Sequence, residues 1–315
     1  MKNEVFDTII IGAGPAGMAA ALYAVRSGCR ILIFEREVCG GKMNTTNEIC
    51  NYPGILSISG PDLSLSMLNS ITDLGVDIEY EEIKDTSLLG KTKYVYTESK
   101  KYSCKTVIVA NGLKNRSLGC KGESEFRGRG VSYCAVCDGF FFKDKVVCIV
   151  GGGNTAIEDA IYLSKICLKV VIFVRKSNFK AENFLVDKVK NIPNIFIYFE
   201  TQITEILGRE FVEEVVVQSG DVERKIFVDA VFVAIGFYPD NDAFKEISKN
   251  KYGYFKSKSN CATNIPGVYV AGDCREKKLR QIVTAVSDGA CAADESLGYL
   301  YKHAETKIMK VIGKV

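Results

Sequence analysis

Runs of apolar residues that end near glycines recur along the chain, and segments with helical periodicity lie between them. The runs predict buried strands at 5–11, 30–34, 107–110, 145–150, 169–173, 231–235 and 267–271, and helices are predicted at 18–27, 157–165 and 283–297. Twice, a strand is followed by a glycine-rich turn, a helix and a second strand. The pattern therefore predicts an α/β fold that contains the same βαβ unit twice.

Composition narrows the class of protein. A chain of 315 residues suggests about two domains, and 47% hydrophobic residues are ample for their cores. A net charge of +3 is too small to indicate binding to nucleic acid or to a membrane surface. We find neither the apolar run of a signal peptide nor one long enough to span a bilayer. Twelve cysteines in such a chain are expected to be mostly reduced, which predicts a cytoplasmic location.

The first glycine-rich turn has the sequence Gly12-Ala13-Gly14-Pro15-Ala16-Gly17. Gly12 permits the tight turn, Gly14 lets a pyrophosphate approach the backbone, and Gly17 lets helix and strand pack closely. The N-terminus of the following helix would face the phosphates. Glu35 ends the next strand, 23 residues after Gly12, where it can accept a hydrogen bond from a ribose 2′-hydroxyl. The unit therefore predicts a Rossmann-like dinucleotide site.

The second turn is Gly151-Gly152-Gly153-Asn154-Thr155-Ala156, with Ala156 in the third glycine position. Val174 corresponds to Glu35, and Arg175, Lys176 and Lys180 follow it. A carboxylate would repel a 2′-phosphate, whereas cations attract one. The first site is therefore predicted to take FAD and the second NADPH, to which we also assign Gly236 at the end of the strand 231–235. The alternative is that these cations are only a solvated strand end.

Two other segments have the composition of a loop along a flat ligand, and we assign both to the FAD site. The first contributes Gly40, Gly41, Lys42, Thr46 and Asn51, and the second contributes Gly272, Asp273, Arg280, Gln281 and Ile282. Asp273 could hold a ribityl hydroxyl or the pyrophosphate, and the helix after Ile282 could direct its N-terminus at the flavin ring. Each segment by itself would also fit an ordinary loop or turn.

Cys134-Ala-Val-Cys137-Asp138 lies between the two turns. A CxxC spacing lets both sulfurs meet across one turn and tends to lower the pKa of one thiol. Asp138 could give a proton to a departing thiolate. A zinc site would need a second close pair of ligands, but the chain has no second CxxC and one histidine, so we assign no metal. The other alternative is a pair of inert, buried thiols.

Together these motifs resemble the low-molecular-weight thioredoxin reductases of bacteria, which are class II pyridine nucleotide-disulfide oxidoreductases. The resemblance extends from about Phe6 to Leu300 and includes the flanks of the CxxC, Gly128-Arg129-Gly130-Val131-Ser132 and Gly139. It implies two Rossmann-like domains, of which the FAD-binding one is discontinuous (1–113 and 246–315). The NADPH-binding domain, 114–245, would be inserted in it and would carry the CxxC. A homodimer is also implied.

The resemblance also implies roles for single residues. Electrons would pass from NADPH through FAD to a Cys134–Cys137 disulfide, with Cys137 nearer the flavin. Cys134 would attack the disulfide of thioredoxin or a thioredoxin-like protein, and Asp138 would be the acid. Phe140 and Phe141, with Arg129 nearby, would contact that partner, although aromatic residues are usually buried.

The chain departs from the family at several positions. The family's His-Arg-Arg-x-x-x-Arg motif for the 2′-phosphate is here Val174-Arg175-Lys176-Ser-Asn-Phe-Lys180, which predicts weaker discrimination of NADPH against NADH. Lys42 replaces a common glutamine and Asn111 a threonine, and Cys274 has no assigned role. Two alternatives stay open: a ferredoxin-dependent or NADH-preferring flavin disulfide reductase of the same fold, and a non-catalytic flavin- or metal-binding redox sensor.

Overall fold

The computed structural model describes residues 5–46 and 48–312, with residues 304–312 described by their backbone alone. The chain divides into two compact units, Met1–Lys114 with Pro239–Val315, and Asn115–Tyr238. The sequence placed the second boundary at 245/246. Residues 239–245 lie in the first unit, where Nδ2 of Asn111 donates to the carbonyl oxygen of Asp240 (2.8 Å) and to Oδ1 of Asn241 (3.0 Å).

The first unit is a mixed sheet with helices on its faces. Its strands are β1 (Val5–Ile11), β2 (Ile31–Phe34), β3 (Asp77–Glu79), β4 (Asp85–Ser87), β5 (Lys93–Tyr96), β6 (Lys101–Val109) and, late in the chain, Val268–Val270. Its helices are α1 (Pro15–Arg26), α2 (Gly60–Thr72) and, at the end of the chain, Ile282–Ile312, with 3₁₀ turns at Gly41–Thr45 and Gly272–Cys274. The short strand β7 (Lys114–Asn115) follows at the boundary.

The sheet order in the first unit is β3-β2-β1-β6-β5-β4, and the strand Val268–Val270 also pairs with β6. β1, β2, β3 and β6 are parallel, and β4 and β5 are antiparallel additions. Alternate residues of β1 enter different cores: Ile10 packs in one hydrophobic cluster, and Ile9 and Ile11 pack in the other. The central strands are therefore covered on both faces, which is why they are apolar throughout.

The second unit follows the same plan in fewer residues. Its strands are β8 (Val131–Ser132), β9 (Val146–Val150), β10 (Lys169–Val174), β11 (Ile195–Phe199), β12 (Gln202–Gly208), β13 (Val212–Ser219), β14 (Val222–Phe227), β15 (Ala230–Val233) and β16 (Phe237–Tyr238). Its helices are α3 (Ala135–Asp138), α4 (Asn154–Leu163) and α5 (Asn183–Lys190), with a 3₁₀ turn at Gly139–Phe142. Numbered in chain order after these, the late strand Val268–Val270 of the first unit is β17 and its last helix, Ile282–Ile312, is α6.

The parallel sheet of the second unit has the order β11-β10-β9-β15-β8. Its first four strands repeat β3-β2-β1-β6 of the first unit in chain order and direction. A separate antiparallel sheet, β12-β13-β14, packs Val215 and Val217 against Cys148 and Val150 of β9. The predicted repetition of one βαβ unit is thus present in the structure.

The helices begin earlier than the apolar periodicity indicated. α1 starts at Pro15, whose missing N–H is tolerated in the first turn of a helix. α6 extends far beyond the predicted end at 297 and passes through Gly298. A Cβ added at this glycine would meet nothing within 4 Å. At Gly289, by contrast, α6 lies so close to α1 that an added Cβ would overlap the carbonyl oxygen of Ala16.

Candidate active site

Cys134 and Cys137 form a disulfide at the start of α3, with their Cα atoms 5.3 Å apart. The single turn of α3 brings the two sulfurs together, and the amide of Cys137 donates to Sγ of Cys134 (3.0 Å). Cys134 is half-buried and Cys137 is exposed. The other ten cysteines are free thiols in the structure. The residues predicted to be redox-active are therefore the ones that form a bond.

Asp138 is held beside the disulfide by Ser132, a residue that was not assigned a role from the sequence. The Ser132 hydroxyl donates to Oδ2 of Asp138 (2.6 Å) and accepts from the amide of Cys134 (3.0 Å). Ser132 is only 5% exposed and belongs to β8, which is paired with β15 through Phe232. A serine six residues before an aspartate carries no recognisable spacing signal, so only the fold reveals this contact.

Tyr133, the residue directly before Cys134, is held by Glu123, and no sequence motif indicated this contact. Glu123 is 3% exposed, and its carboxylate accepts from the amides of Leu118 and Gly119 (both 2.8 Å) and from the Tyr133 hydroxyl (2.7 Å). Burial, with the Glu123 hydrogen bond second, raises the pKa of Tyr133, which therefore stays a neutral donor. This bond fixes the residue next to Cys134.

Phe140 and Phe141 follow the disulfide turn and are 70% and 80% exposed. Phe142, by contrast, packs inward, with its ring 5.9 Å from that of Phe232. The interpretation of Phe140 and Phe141 as ordinary core residues is therefore wrong for this structure. Arg129 is exposed as well, and it donates to the carbonyl oxygen of Glu125 (2.6 Å).

The first glycine turn has the geometry that a dinucleotide site requires. Gly12 has φ = 103°, and a Cβ there would overlap the carbonyl oxygen of Ala110. Its amide donates to the carbonyl oxygen of Phe34 (2.7 Å), which joins the turn to β2. A Cβ on Gly14, at the N-terminus of α1, would meet nothing within 4 Å. Open space therefore lies where a pyrophosphate would approach the helix.

Glu35 directly follows β2, at the strand end predicted from the sequence. One carboxylate oxygen accepts from the amide of Ala13 (2.8 Å) and the other from the amide of Glu37 (2.9 Å). The side chain thus stabilises the glycine turn itself. Because a carboxylate oxygen has a second lone pair, Glu35 can still accept from a hydroxyl.

The two other segments that the sequence analysis assigned to FAD converge on the N-terminus of α1. The amide of Gly40 donates to the carbonyl oxygen of Ala13 (2.7 Å), and a Cβ on Gly41 would lie 3.7 Å from Cα of Gly14. From the other side, a Cβ on Gly272 would lie 2.9 Å from Cβ of Ala16.

Further contacts order these two segments. Asn51 donates to Oε1 of Gln281 (3.1 Å), immediately before α6 begins at Ile282. The carbonyl oxygen of Thr46, just after the 3₁₀ turn, accepts from the amide of Gly60 (2.9 Å). Residues that are more than two hundred positions apart in sequence are thus neighbours in the fold.

Charged groups gather around this convergence. Burial lowers the pKa of Lys42 to about 7, while Asp273 opposes this shift and Arg280 adds to it. Burial raises the pKa of Asp273, against the influence of Lys277, Lys42 and Arg280. The guanidinium of Arg280 lies 4.3 Å from the ring centre of Tyr254.

Oδ1 of Asp273 and Oδ1 of Asn111 are buried acceptors that lack a hydrogen-bond donor in the described part of the chain. Asn111 follows β6 and Asp273 follows β17, and these strands are parallel neighbours in the sheet. Both acceptors therefore lie at the carboxyl edge of the sheet, where the glycine turn also lies. A buried acceptor without a donor is costly, so a bound molecule with hydroxyl groups would satisfy them.

The second glycine turn repeats this geometry. Gly151 has φ = 154°, and a Cβ there would overlap the carbonyl oxygen of Ala234. Its amide donates to the carbonyl oxygen of Phe173 (3.1 Å), at the end of β10. Asn154 begins α4 and accepts from the amide of Glu182 (3.0 Å), and the neighbouring Thr155 is exposed.

The cations of the second unit lie beside this turn. The amide of Lys180 donates to the carbonyl oxygen of Gly152 (2.6 Å), so the loop after β10 folds back over the glycines. Arg175, Lys176 and Lys180 are exposed, whereas Val174 is only 3% exposed.

Arg175 also lines a cavity of about 260 Å³ together with Glu200, Thr201, Gln202, Gln218 and Gly220. Gly236 has φ = 94° and accepts from the amide of Arg116 (2.9 Å).

Several thiols outside the disulfide have raised pKa values, which disfavour the reactive thiolate. Burial raises the pKa of Cys104, Cys261 and Cys274 to about 12 and that of Cys120 and Cys167 to about 11. Cys274 is fully buried and donates to the carbonyl oxygen of Ala271 (3.2 Å). It is therefore a packing residue, which answers the question that the sequence left open.

The described part of the chain contains no cluster of three or more His, Cys, Asp or Glu side chains that could hold a metal ion. Within the same residues, no helix is both long and apolar enough to cross a membrane.

Comparison with known proteins identifies the family. The model of the pyridine nucleotide-disulphide oxidoreductase family matches residues 6–289. The chain belongs to this family. Within it, the thioredoxin reductase of Ureaplasma parvum is 40% identical over 311 residues, which cover 96% of this chain and 99% of that protein. That of Listeria innocua is 40% identical over 303 residues, with 95% of each chain covered.

A solved structure agrees with these relatives. The crystal structure of Lactococcus lactis thioredoxin reductase matches with a TM-score of 0.87 at 36% identity, and it covers 94% of this chain and 99% of that one. The predicted fold, the predicted membership of the thioredoxin reductase group and the predicted oxidoreductase activity are confirmed by these similarities.

Proposed function

We propose that the chain takes electrons from NADPH, passes them through FAD to the Cys134–Cys137 disulfide, and so reduces thioredoxin or a thioredoxin-like protein. The observation that carries the proposal is the disulfide in its single turn, with the Asp138 carboxyl held beside it by Ser132. No other pair of cysteines in the described residues is bonded.

FAD is assigned to the first unit. Its pyrophosphate would bind at the N-terminus of α1, at Gly12, Gly14, Pro15, Ala16 and Gly17. Glu35 would accept a hydrogen bond from a hydroxyl of its ribose. Asp273 and Asn111 offer buried acceptors that fit hydroxyl groups of a ribityl chain. FAD would supply two-electron transfer between the nicotinamide and the disulfide. The proposed site is completed by residues of the two other segments: Gly40, Gly41, Lys42, Thr46, Asn51, Gly272, Arg280, Gln281 and Ile282.

The nicotinamide cofactor is assigned to the second unit, at the turn of Gly151, Gly153, Asn154, Thr155 and Ala156, with Gly236 in the connection between β15 and β16. A 2′-phosphate would meet the exposed cations Arg175, Lys176 and Lys180, and no carboxylate occupies the strand end at Val174. We therefore propose NADPH as the preferred donor. Because Arg175 is the only guanidinium among the three cations, the preference is expected to be modest.

Two electrons break the Cys134–Cys137 bond, and with two protons they leave two thiols. Asp138, which Ser132 holds at the end of the same turn, is proposed to supply one of these protons. In the second half of the cycle the Cys134 thiolate attacks the partner's disulfide and forms a mixed disulfide. Cys137 then attacks Cys134, which restores the internal bond and releases the partner as a dithiol.

The partner is proposed to contact Phe140 and Phe141, which are exposed directly after the disulfide turn, with Arg129 in the same unit. Exposed aromatic residues of this kind are typical of an interaction surface. A homodimer and a cytoplasmic location complete the proposal; ten free thiols fit a reducing compartment.

The ferredoxin-dependent alternative is not favoured, because the second unit keeps a tight glycine turn at Gly151, which supports a nucleotide site there. The metal-sensor alternative finds no ligand cluster in the described residues.

The test is steady-state oxidation of NADPH by the purified holoprotein with an oxidised thioredoxin. We expect turnover that is lost in Cys134→Ser and Cys137→Ser, by about 1000-fold or more, since each variant lacks one sulfur of the disulfide that carries the electrons. Reduction of the flavin by NADPH should persist in both variants. Cys50→Ser, at an exposed free thiol, is the matched control. Thioredoxin-dependent turnover in Cys134→Ser would contradict the proposal.

A further inference from the structure

Ser132 touches both the disulfide turn and the carboxyl group beside it. We infer that Ser132 is a positioning residue of the reaction: its hydroxyl holds Oδ2 of Asp138 and stabilises the ionised carboxylate, so that Oδ1 is the oxygen that exchanges the proton. The inference rests on the proposed role of Asp138 as the acid.

The hydrogen-bonding capacity of the hydroxyl supports this assignment. A serine hydroxyl has one proton to donate and two lone pairs. One lone pair is used by the amide of Cys134 (3.0 Å). The proton has two acceptors in reach, Oδ2 of Asp138 (2.6 Å) and the carbonyl oxygen of Cys134 (3.2 Å).

The shorter contact is the one expected to dominate. The Cys134 carbonyl already accepts from the amide of Asp138 (3.2 Å), whereas a carboxylate makes the stronger, charge-assisted bond. The proton of Ser132 is therefore directed at Oδ2 whenever Asp138 is ionised.

The surroundings make this arrangement rigid. Ser132 is almost fully buried, and its strand β8 is in register with β15 through Val131–Val231 and Ser132–Phe232. The hydroxyl is thus presented by a sheet and not by a mobile loop. Cys134 is the N-cap of α3 and Asp138 is its last residue. Because α3 is a single turn, the same hydroxyl can contact both.

The consequence concerns the proton that accompanies reduction of the disulfide. When the bond between Cys134 and Cys137 breaks, two electrons enter the sulfurs and a thiolate takes a proton from Asp138. The carboxyl group is left as an anion. A donor that is already aimed at Oδ2 stabilises this anion as it forms, which is the condition under which a fixed donor accelerates a step.

The experiment compares Ser132→Ala, Asp138→Asn and the double variant in the holoenzyme, with thioredoxin-dependent NADPH oxidation measured from pH 5.5 to 9. We expect Ser132→Ala to lower kcat by about tenfold, the value of one charge-assisted hydrogen bond. KM for thioredoxin should change by less than about twofold, because Ser132 is almost fully buried and does not contact the partner. In the Asp138→Asn background the alanine substitution should change kcat by less than about twofold.

Ser132→Thr keeps the hydroxyl and should restore most of the rate. Should the alanine variant fail to fold, Ser132→Thr and Ser132→Val give the same comparison, since they differ in the hydroxyl but hardly in shape. Equal losses from Ser132→Ala in the natural chain and in the Asp138→Asn background would overturn the inference, because a residue that only caps α3 acts independently of the carboxyl group.

The outcomes also separate this inference from the proposed function. Full activity in Asp138→Asn would remove the role of the acid itself. A large loss in Asp138→Asn together with normal activity in Ser132→Ala would overturn only the role of Ser132.

Discussion

The two glycine turns of this chain have nearly the same backbone and different surroundings. In each, the amide of the first glycine donates to the carbonyl oxygen of the strand that follows the helix: Gly12 to Phe34 and Gly151 to Phe173. In each, a Cβ on that glycine would overlap a carbonyl oxygen at the end of a neighbouring strand. This is Ala110, after β6, in the first unit and Ala234, after β15, in the second. The strand order around them is also the same.

The difference lies at the end of the second strand. In the first unit Glu35 accepts two backbone amides and leaves a negative charge near the turn. In the second unit Val174 is buried, and exposed cations follow it. We propose that the backbone sets how a pyrophosphate can approach, whereas a few side chains set which nucleotide is accepted. The following substitutions test that division, from the largest expected effect to the smallest.

The first glycine of each turn should be indispensable for its own unit alone. We expect Gly12→Ala to abolish FAD binding and Gly151→Ala to abolish reduction of the flavin by NADPH, each by about 100-fold or more, because the added Cβ overlaps backbone. Flavin content is measured by absorbance and flavin reduction by bleaching. Gly298→Ala, where a Cβ meets open space, is the control. Loss of flavin in Gly151→Ala with an intact fold would argue against the separation of the two sites.

The cations of the second unit should act only through the 2′-phosphate. Replacing Arg175, Lys176 and Lys180 together by alanine should raise KM for NADPH by about 30- to 150-fold, at roughly 0.7–1 kcal/mol for each exposed charge. KM for NADH should change by less than about twofold. Lys165→Ala, beyond the C-terminal end of α4, is the matched control. Equal effects on both nucleotides would mean that the cations do not recognise the phosphate.

Lys42 should make FAD binding depend on pH in the first unit. Burial lowers the pKa of Lys42 to about 7, so the side chain loses its proton as the pH rises through this value. A nearby pyrophosphate would favour the ammonium and raise this pKa, so FAD binding takes up a proton above about pH 7 and the affinity for FAD falls as the pH rises. Lys42→Gln should weaken binding by about tenfold at low pH and lose this part of the pH dependence.

The measurement for Lys42 is fluorescence quenching of FAD added to the apoprotein between pH 6 and 9. Lys42→Arg keeps a charge throughout this range and should bind FAD tightly without the decline. Asp273 and Arg280 also carry charges near residue 42, but both residues are unchanged in every variant. A decline with pH in Lys42→Gln as steep as in the natural chain would assign the proton to another group.

The third glycine position should matter least where it is already alanine. Ala156→Gly in α4 should cost about 1 kcal/mol of stability, the difference in helix propensity, and should leave KM for NADPH within about twofold. Thermal unfolding is the measurement. The reverse change in the first turn, Gly17→Ala, should be severe, because its Cβ would overlap the carbonyl oxygen of Gly12. Similar effects in both turns would show that the two helices are equally close to their strands.

The local chemistry of both sites could be predicted because the residues that carry it are close in sequence. Gly12 to Glu35 and Gly151 to Lys180 each form one βαβ unit, and Cys134 to Asp138 form one helical turn. The second compact unit ends before the predicted boundary at 245/246 for the opposite reason. Asn111, on which residues 239–245 depend, is more than a hundred residues away from them. The end of α6 was missed because glycine is only a weak helix breaker when nothing opposes the helix.

The sequence by itself determined the two nucleotide units, the redox cysteines and the sign of charge at each strand end, since glycine spacing, CxxC spacing and the type of side chain are local properties. Only the tertiary structure decided which distant groups meet: Ser132 with Asp138, Glu123 with Tyr133, and the unpaired oxygens of Asn111 and Asp273 at one sheet edge. The physical reason is that strand order and burial set these distances and the pKa of Lys42, and neither is encoded in any short stretch of the chain.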